Sequence, residues 1–167
     1  MIDLNEIRRK TVSVEEYFSS MESPFKEKFL ARKESYQLNQ DAVIKLKRIA
    51  DKYIVVVFSA EWCKDCVNNV PVLELVSRAV GLEVRVFGHI MKDALSTREK
   101  WRIPPAPPEV KTFGVEKLPW IIIFDKKGRE VGKIIENPVH TGSIEEELLY
   151  ISQNATDVSE IRSYESV

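Results

Sequence analysis

The sequence predicts an α/β fold with a mixed central sheet, preceded by a helical extension. Three observations carry that prediction. Residues 53–59 form a dense run of β-branched and aromatic side chains with no polar alternation, as a central strand buried on both faces requires. A helix-patterned segment follows at once, with its apolar load on Val67, Val70, Leu73, Leu75, Val76, Ala79 and Val80, and a shorter strand pattern at 82–87 completes a strand–helix–strand unit. Further on, two strand-like runs at 120–124 and 131–135 flank the turn Asp125-Lys126-Lys127-Gly128, which reads as an antiparallel hairpin.

Taken in order, residues 1–52 read as helical. Ser13-Val14-Glu15-Glu16 has capping-box spacing, and Ser23-Pro24 offers an N-cap followed by proline at the first helical position. Phe25, Phe29 and Leu30 recur at helical spacing, and Asp41 is placed to cap a third helix bearing Val43, Leu46 and Ala50. No Gly/Pro/Ser linker precedes Tyr53, so these apolar positions are expected to pack on the 53–151 core. In the long helix, Pro71 removes one hydrogen bond and should kink it, and Gly81 is the expected stop. A weaker helix pattern spans 92–101 and ends before Ile103-Pro104-Pro105, because proline disfavours helix at the preceding residue. The proline-rich stretch 104–108 is an extended spacer, and a short helix is expected at 109–113. Ser143-Ile144-Glu145-Glu146 again has capping-box spacing before Leu148, Leu149 and Ile151, and 152–167 reads as a polar, frayed tail.

Composition narrows the functional classes. A chain of 167 residues, 44% apolar and 31% charged, suits one domain with a proper core. A net charge of −1 without long charged blocks points away from nucleic acid and anionic membranes as partners. Neither an apolar leader segment after Met1 nor a stretch of about eighteen apolar residues is present, so the expected location is cytoplasmic, where cysteines stay reduced.

Both cysteines lie in Glu61-Trp62-Cys63-Lys64-Asp65-Cys66, between the central strand and the long helix. Two thiols three residues apart at a helix start can close a small disulfide ring, and the unpaired N–H groups of the first turn favour the thiolate of the first sulfur. Dithiol–disulfide exchange is the chemistry this predicts. Two other readings stand beside it. Zinc needs four ligands and would recruit His89 and His140, which lack the usual spacing; alternatively, the two cysteines simply pack in the core. No metal and no cofactor beyond the Cys63–Cys66 pair are expected.

The order of these parts resembles the thioredoxin family over roughly residues 53–151. Phe58-Ser59-Ala60-Glu61-Trp62-Cys63 is similar to the family's approach to its active site, Pro71 falls at its helix proline, and Leu118-Pro119 at its cis-proline. The resemblance implies a three-layer α/β/α sandwich and a disulfide oxidoreductase, acting on protein disulfides as a reductant and itself reduced by a reductase. It also implies that Trp62, Leu118 and Pro119 border the substrate. Three features depart from the family. Lys64-Asp65 replaces its usual central dipeptide, Val57 stands where it has a buried aspartate, and its groove glycine has no counterpart near Glu136-Asn137-Pro138.

Within this scheme Cys63 is the exposed nucleophile and Cys66, one turn into the helix, the shielded resolving thiol. Lys64 favours ionisation of Cys63 and Asp65 opposes it. His89, Glu61 and Asp93 are candidates to handle the proton that the missing aspartate would take. A second functional class remains open at this point: a binding module, with weak redox activity, whose helical extension captures a partner.

Overall fold

The computed structural model describes residues 1–91, 95 and 106–165, with side chains described as far as residue 155. The expectations for a helix at 92–101, for the prolines at 104 and 105, and for Asp93 lie outside the described residues. Among the described residues the sheet has five strands: β1 (Val12–Ser13), β2 (Tyr53–Phe58), β3 (Glu83–Phe87), β4 (Trp120–Asp125) and β5 (Glu130–Ile135). They lie in the order β1-β3-β2-β4-β5. β2 pairs parallel with β3, while the β2–β4, β4–β5 and β1–β3 pairs are antiparallel, so the sheet is mixed as the sequence predicts.

β2 is central, and its residues Ile54 to Phe58 are fully buried. Alternation sends them to opposite faces. Val55, paired with Ile123 of β4, lines a small interior gap together with Val80 of the long helix α5 (Lys64–Val80) and Leu148 of α7 (Ile144–Glu165). Phe58 stacks on Phe87 at 4.7 Å between ring centres and meets Phe113 at 5.9 Å, just past the short helix α6 (Glu109–Thr112). Helices on one face and α6 on the other make the three layers. α5 stops where expected: Gly81 has φ 76° and its N–H donates to Ser77 O at 2.9 Å, a helix ending in the left-handed conformation.

The N-terminal segment departs from its prediction in several particulars. It holds four helices, α1 (Leu4–Lys10), α2 (Val14–Ser20), α3 (Phe25–Ser35) and α4 (Gln40–Lys47), and also supplies edge strand β1. α1 and β1 are too short for a periodic pattern to reveal. Ser13 caps α2, accepting from Glu16 N–H at 3.1 Å, as predicted. α3 starts at Phe25 without a side-chain cap, one residue later than Ser23-Pro24 suggests. Asn39 rather than Asp41 caps α4, accepting from Ala42 N–H at 3.1 Å. At the other end α7 runs to Glu165, past Ser152, where a frayed tail was expected; Ser152 is buried and donates to Leu148 O at 2.7 Å.

The segment is joined to the remainder by apolar packing and by acids. Tyr17, Phe18 and Phe29 form an edge-to-face aromatic cluster inside the common core, and Leu46 is buried with them. Leu30 and Val43 are half-buried against that core, whereas Phe25 only borders a surface cleft. Buried carboxylates supply the polar anchors. Glu145 accepts from Tyr36 Oη at 2.6 Å and from Asn39 N–H at 3.1 Å, and Glu74 lies 3.3 Å from Lys33 Nζ. Lys10 pairs with the buried Glu109 at 2.6 Å, and Arg8 with the partly exposed Glu83 at 2.9 Å. Removing one partner of such a buried acid leaves an uncompensated charge, which costs far more than the pair contributes when intact.

Two predictions follow from this arrangement. Phe29→Ala should destabilise the protein by about 3 to 5 kcal/mol, whereas Phe25→Ala should cost less than about 1 kcal/mol; denaturant unfolding compares the two. Deleting residues 1–38 should lower the unfolding midpoint or cause aggregation, because it removes β1 and uncovers core. A truncated chain with an unchanged melting temperature would refute this.

Candidate active site

The site is built at the carboxyl end of β2. Ser59 N–H donates to Phe87 O at 3.0 Å and Ile90 N–H to Ser59 O at 3.4 Å, which joins the segments leaving β2 and β3. Cys63 follows as the N-cap of α5, with extended backbone (φ −83°, ψ 122°). Its Sγ accepts from Cys66 N–H at 3.4 Å and lies 3.5 Å from Leu118 O. Cys63 is half-buried and Cys66 fully buried, and both are free thiols.

These positions separate the two thiols electrostatically. The Cys63 pKa is lowered to about 7, first by a hydrogen bond from the Cys66 thiol, then by the N–H groups of Cys66 and Asp65; partial burial and the Asp65 charge act against them. Burial pushes the Cys66 thiol up, and the neighbouring Cys63 adds to the shift. Lys64, expected from the sequence to favour the Cys63 thiolate, is exposed on the rim of a cleft, and the main causes lie instead in the first turn of α5.

The Leu118–Pro119 peptide is cis. Leu118 is buried and Trp62 is 45% exposed, its Nε1–H donating to Ile90 O at 3.1 Å, so the indole is held at the edge of the site. Trp62, Lys64 and Val67 face Phe25 and Lys28 of α3 across a cleft of about 330 Å³. Beyond Pro119, Glu136 has φ 64°, the left-handed region that favours glycine. It is held there by its own N–H to Pro119 O at 2.9 Å and by Asn69, whose side chain donates to Glu136 O. The turn for which the resemblance implies glycine is thus made by a glutamate locked from behind. Asn137 reaches Asp65 at 3.4 Å, so Asp65 faces this loop.

Below the cysteines the sequence reading missed a polar pair. Tyr17 of α2 and Ser59 are both fully buried, with 3.0 Å between their hydroxyl oxygens. No pattern in a sequence couples residues 42 positions apart, although a serine ending so apolar a strand was a signal available to it. Of the proton-handling candidates, Glu61 and His89 come together: His89 Nδ1 lies 2.8 Å from Glu61 Oε1, off the hydrogen-bonding direction, so this shielded oxygen has no hydrogen bond. Val57 is fully buried between Val86 and Ile121, leaving no carboxylate at that position. His140 is engaged elsewhere, 3.0 Å from Glu147 at the head of α7.

Comparison with known proteins places this geometry. The structure is similar to the crystal structure of a protein of unknown function from Pseudomonas aeruginosa, 17% identical over 98% of each chain, with a TM-score of 0.63. It is also similar to that of an HIV epitope-scaffold, 17% identical over 90% of this chain and 88% of the other, with a TM-score of 0.63. At such identities the likeness is one of fold. No curated protein matches the chain. A family model described as thioredoxin matches residues 11–149, which takes in β1 and the helices α2 to α4 as well as the two-cysteine segment, and the chain therefore belongs to the thioredoxin family.

Proposed function

We propose that the protein is a thiol–disulfide oxidoreductase that reduces protein disulfides through Cys63 and Cys66. The single observation that carries this reading is the division of labour between the two sulfurs. Cys63 is accessible, with a pKa of about 7. Cys66 sits one helical turn further in, fully buried and held as the thiol.

At neutral pH roughly half of Cys63 is thiolate, whereas a free cysteine with a pKa of about 8.5 is only a few per cent ionised. The thiolate attacks one sulfur of the substrate disulfide, forms a mixed disulfide and expels the other sulfur as thiolate. Cys66, its proton lost, then attacks Cys63 Sγ, closing the Cys63–Cys66 disulfide and releasing the second substrate thiolate. Two electrons pass from the dithiol to the substrate, and a reductase as electron donor restores the dithiol. Trp62 and the Leu118-Pro119 backbone border the substrate, with Leu118 O beside the attacking sulfur. Lys64 and Asp65 modulate the rim.

Three measurements test this reading. Cys63 should alkylate much faster than Cys66 in the native reduced protein, with a rate that rises through about pH 7 as its thiolate forms; preferential labelling of Cys66 would reverse the roles. Cys63→Ser should abolish disulfide reduction, and multiple turnovers by that variant would refute the mechanism. Cys66→Ser should accumulate mixed disulfides on Cys63, detectable by mass under non-reducing conditions.

A further inference from the structure

Resolution of the mixed disulfide requires the buried Cys66 to lose its proton, and Val57 supplies no base where the resemblance implies one. Ser59 Oγ borders the Cys66 thiol and favours its ionised form. The same hydroxyl is 3.0 Å from Tyr17 Oη, with both residues fully shielded from solvent. Gly88 packs so closely on the Tyr17 ring that a Cβ there would stand 2.5 Å from it, which fixes the phenol in place. The Tyr17 ring meets the His89 ring edge-on at 6.2 Å between centres, and His89 in turn lies against the Glu61 carboxylate, whose charge acts on the Tyr17 phenol. The Glu61 side chain is only 12% exposed, and its buried Oε1 has no hydrogen bond. His89, 59% exposed and with left-handed backbone (φ 58°), brings Nδ1 within 2.8 Å of that oxygen.

We infer that Glu61 is the terminal acceptor of the Cys66 proton, reached through the hydroxyls of Ser59 and Tyr17, with His89 as the exit to solvent. The inference rests on the proposed oxidoreductase function and assigns the step that reading leaves open. A hydroxyl accepts one proton while donating another, so a chain of two carries charge without either becoming an ion. As the Cys66 S–H bond breaks, Ser59 takes that proton and passes its own to Tyr17, and Tyr17 passes its own to Glu61. Cys66 thiolate forms the Cys63–Cys66 bond, the bond from Cys63 to the substrate sulfur breaks, and the departing thiolate takes a proton from water.

The remaining surroundings agree. Burial first, and the Glu61 charge second, hold the Tyr17 phenol protonated, as a relay requires. Among the described residues, Lys28 of α3 and Lys64 of α5 line the same cleft as Glu61. Ser59 and Tyr17 carry the proton between Cys66 and Glu61. The N-terminal segment thus supplies a part of the site through α2.

The test uses the full reduced chain and a small aromatic disulfide whose released thiolate is coloured. One equivalent reports attack by Cys63 and the second reports resolution by Cys66, so stopped-flow absorbance separates the steps. In Glu61→Gln the second release should slow about a hundredfold relative to the first, the lower range of what a placed base contributes. Its rate should climb with pH more steeply than in the wild type, because hydroxide must then remove the proton. Glu61→Asp should recover part of the rate, and Tyr17→Phe, which keeps the ring, should slow the second release as Glu61→Gln does. Both releases unchanged in Glu61→Gln, or both slowed equally with the wild-type pH profile, would overturn the assignment. A slow Glu61→Gln beside a normal Tyr17→Phe would overturn the relay. Should Glu61→Gln fail to fold, a wild-type second release in Tyr17→Phe would overturn the inference just as well. A wild-type protein that never gives the second release refutes the oxidoreductase reading itself, and the relay with it.

Discussion

The position of β2 at the centre of the sheet is the constraint on which the site depends. A strand paired on both edges and covered on both faces has little freedom at its end, so the residues that leave it are placed by the whole core. Ser59, joined to the β3 side by two hydrogen bonds, then Glu61, Trp62 and Cys63, all take their positions from that strand. The N-terminus of α5 does the rest, offering N–H groups to Cys63 Sγ while carrying Cys66 one turn inward. Two chemically identical side chains have their pKa values shifted in opposite directions because one meets the N–H groups of a helix start while the other is buried.

Around this centre, residues distant in sequence hold the site from several sides. Leu118 O approaches Cys63 from the start of β4, and Glu136, fixed by Asn69 and by Pro119, closes the loop beyond. Tyr17 comes from α2, and Phe25 and Lys28 of α3 form the far wall of the cleft beside Trp62. The helices before β2 are therefore part of the surroundings of the thiols. The family match, which begins at residue 11, agrees with that arrangement.

Several buried acids outside the site share a structural task. Glu145, Glu147 and Glu74 are almost wholly shielded, yet each receives hydrogen bonds or cations from neighbouring segments. Glu147 is held below the usual carboxylate range: burial opposes this, but N–H groups of Val139 and His140, with the His140 ring and Thr141, outweigh it. These acids fix loops and helix ends. Glu61 differs from them in its place, at the carboxyl end of β2 beside the two cysteines, with one shielded oxygen that has no hydrogen bond.

The sequence by itself determined the elements whose signals are local. The run at 53–58, the apolar stripe and Gly81 stop of α5, the hairpin around Gly128 and the caps at Ser13 and Ser143 are written in neighbouring residues, and the structure has them at those places. The Cys63–Cys66 spacing likewise placed the two thiols at the start of α5. Tertiary structure decided what depends on contacts across the chain. It set β1 at the sheet edge, separated a buried Phe29 from a half-exposed Phe25 on one helix, and drew the left-handed turn at Glu136 without glycine. It also brought Tyr17 against Ser59 and His89 against Glu61. Burial, and the direction from which a hydroxyl or carboxylate approaches a thiol, are properties of the packed interior, and no spacing along the chain encodes them.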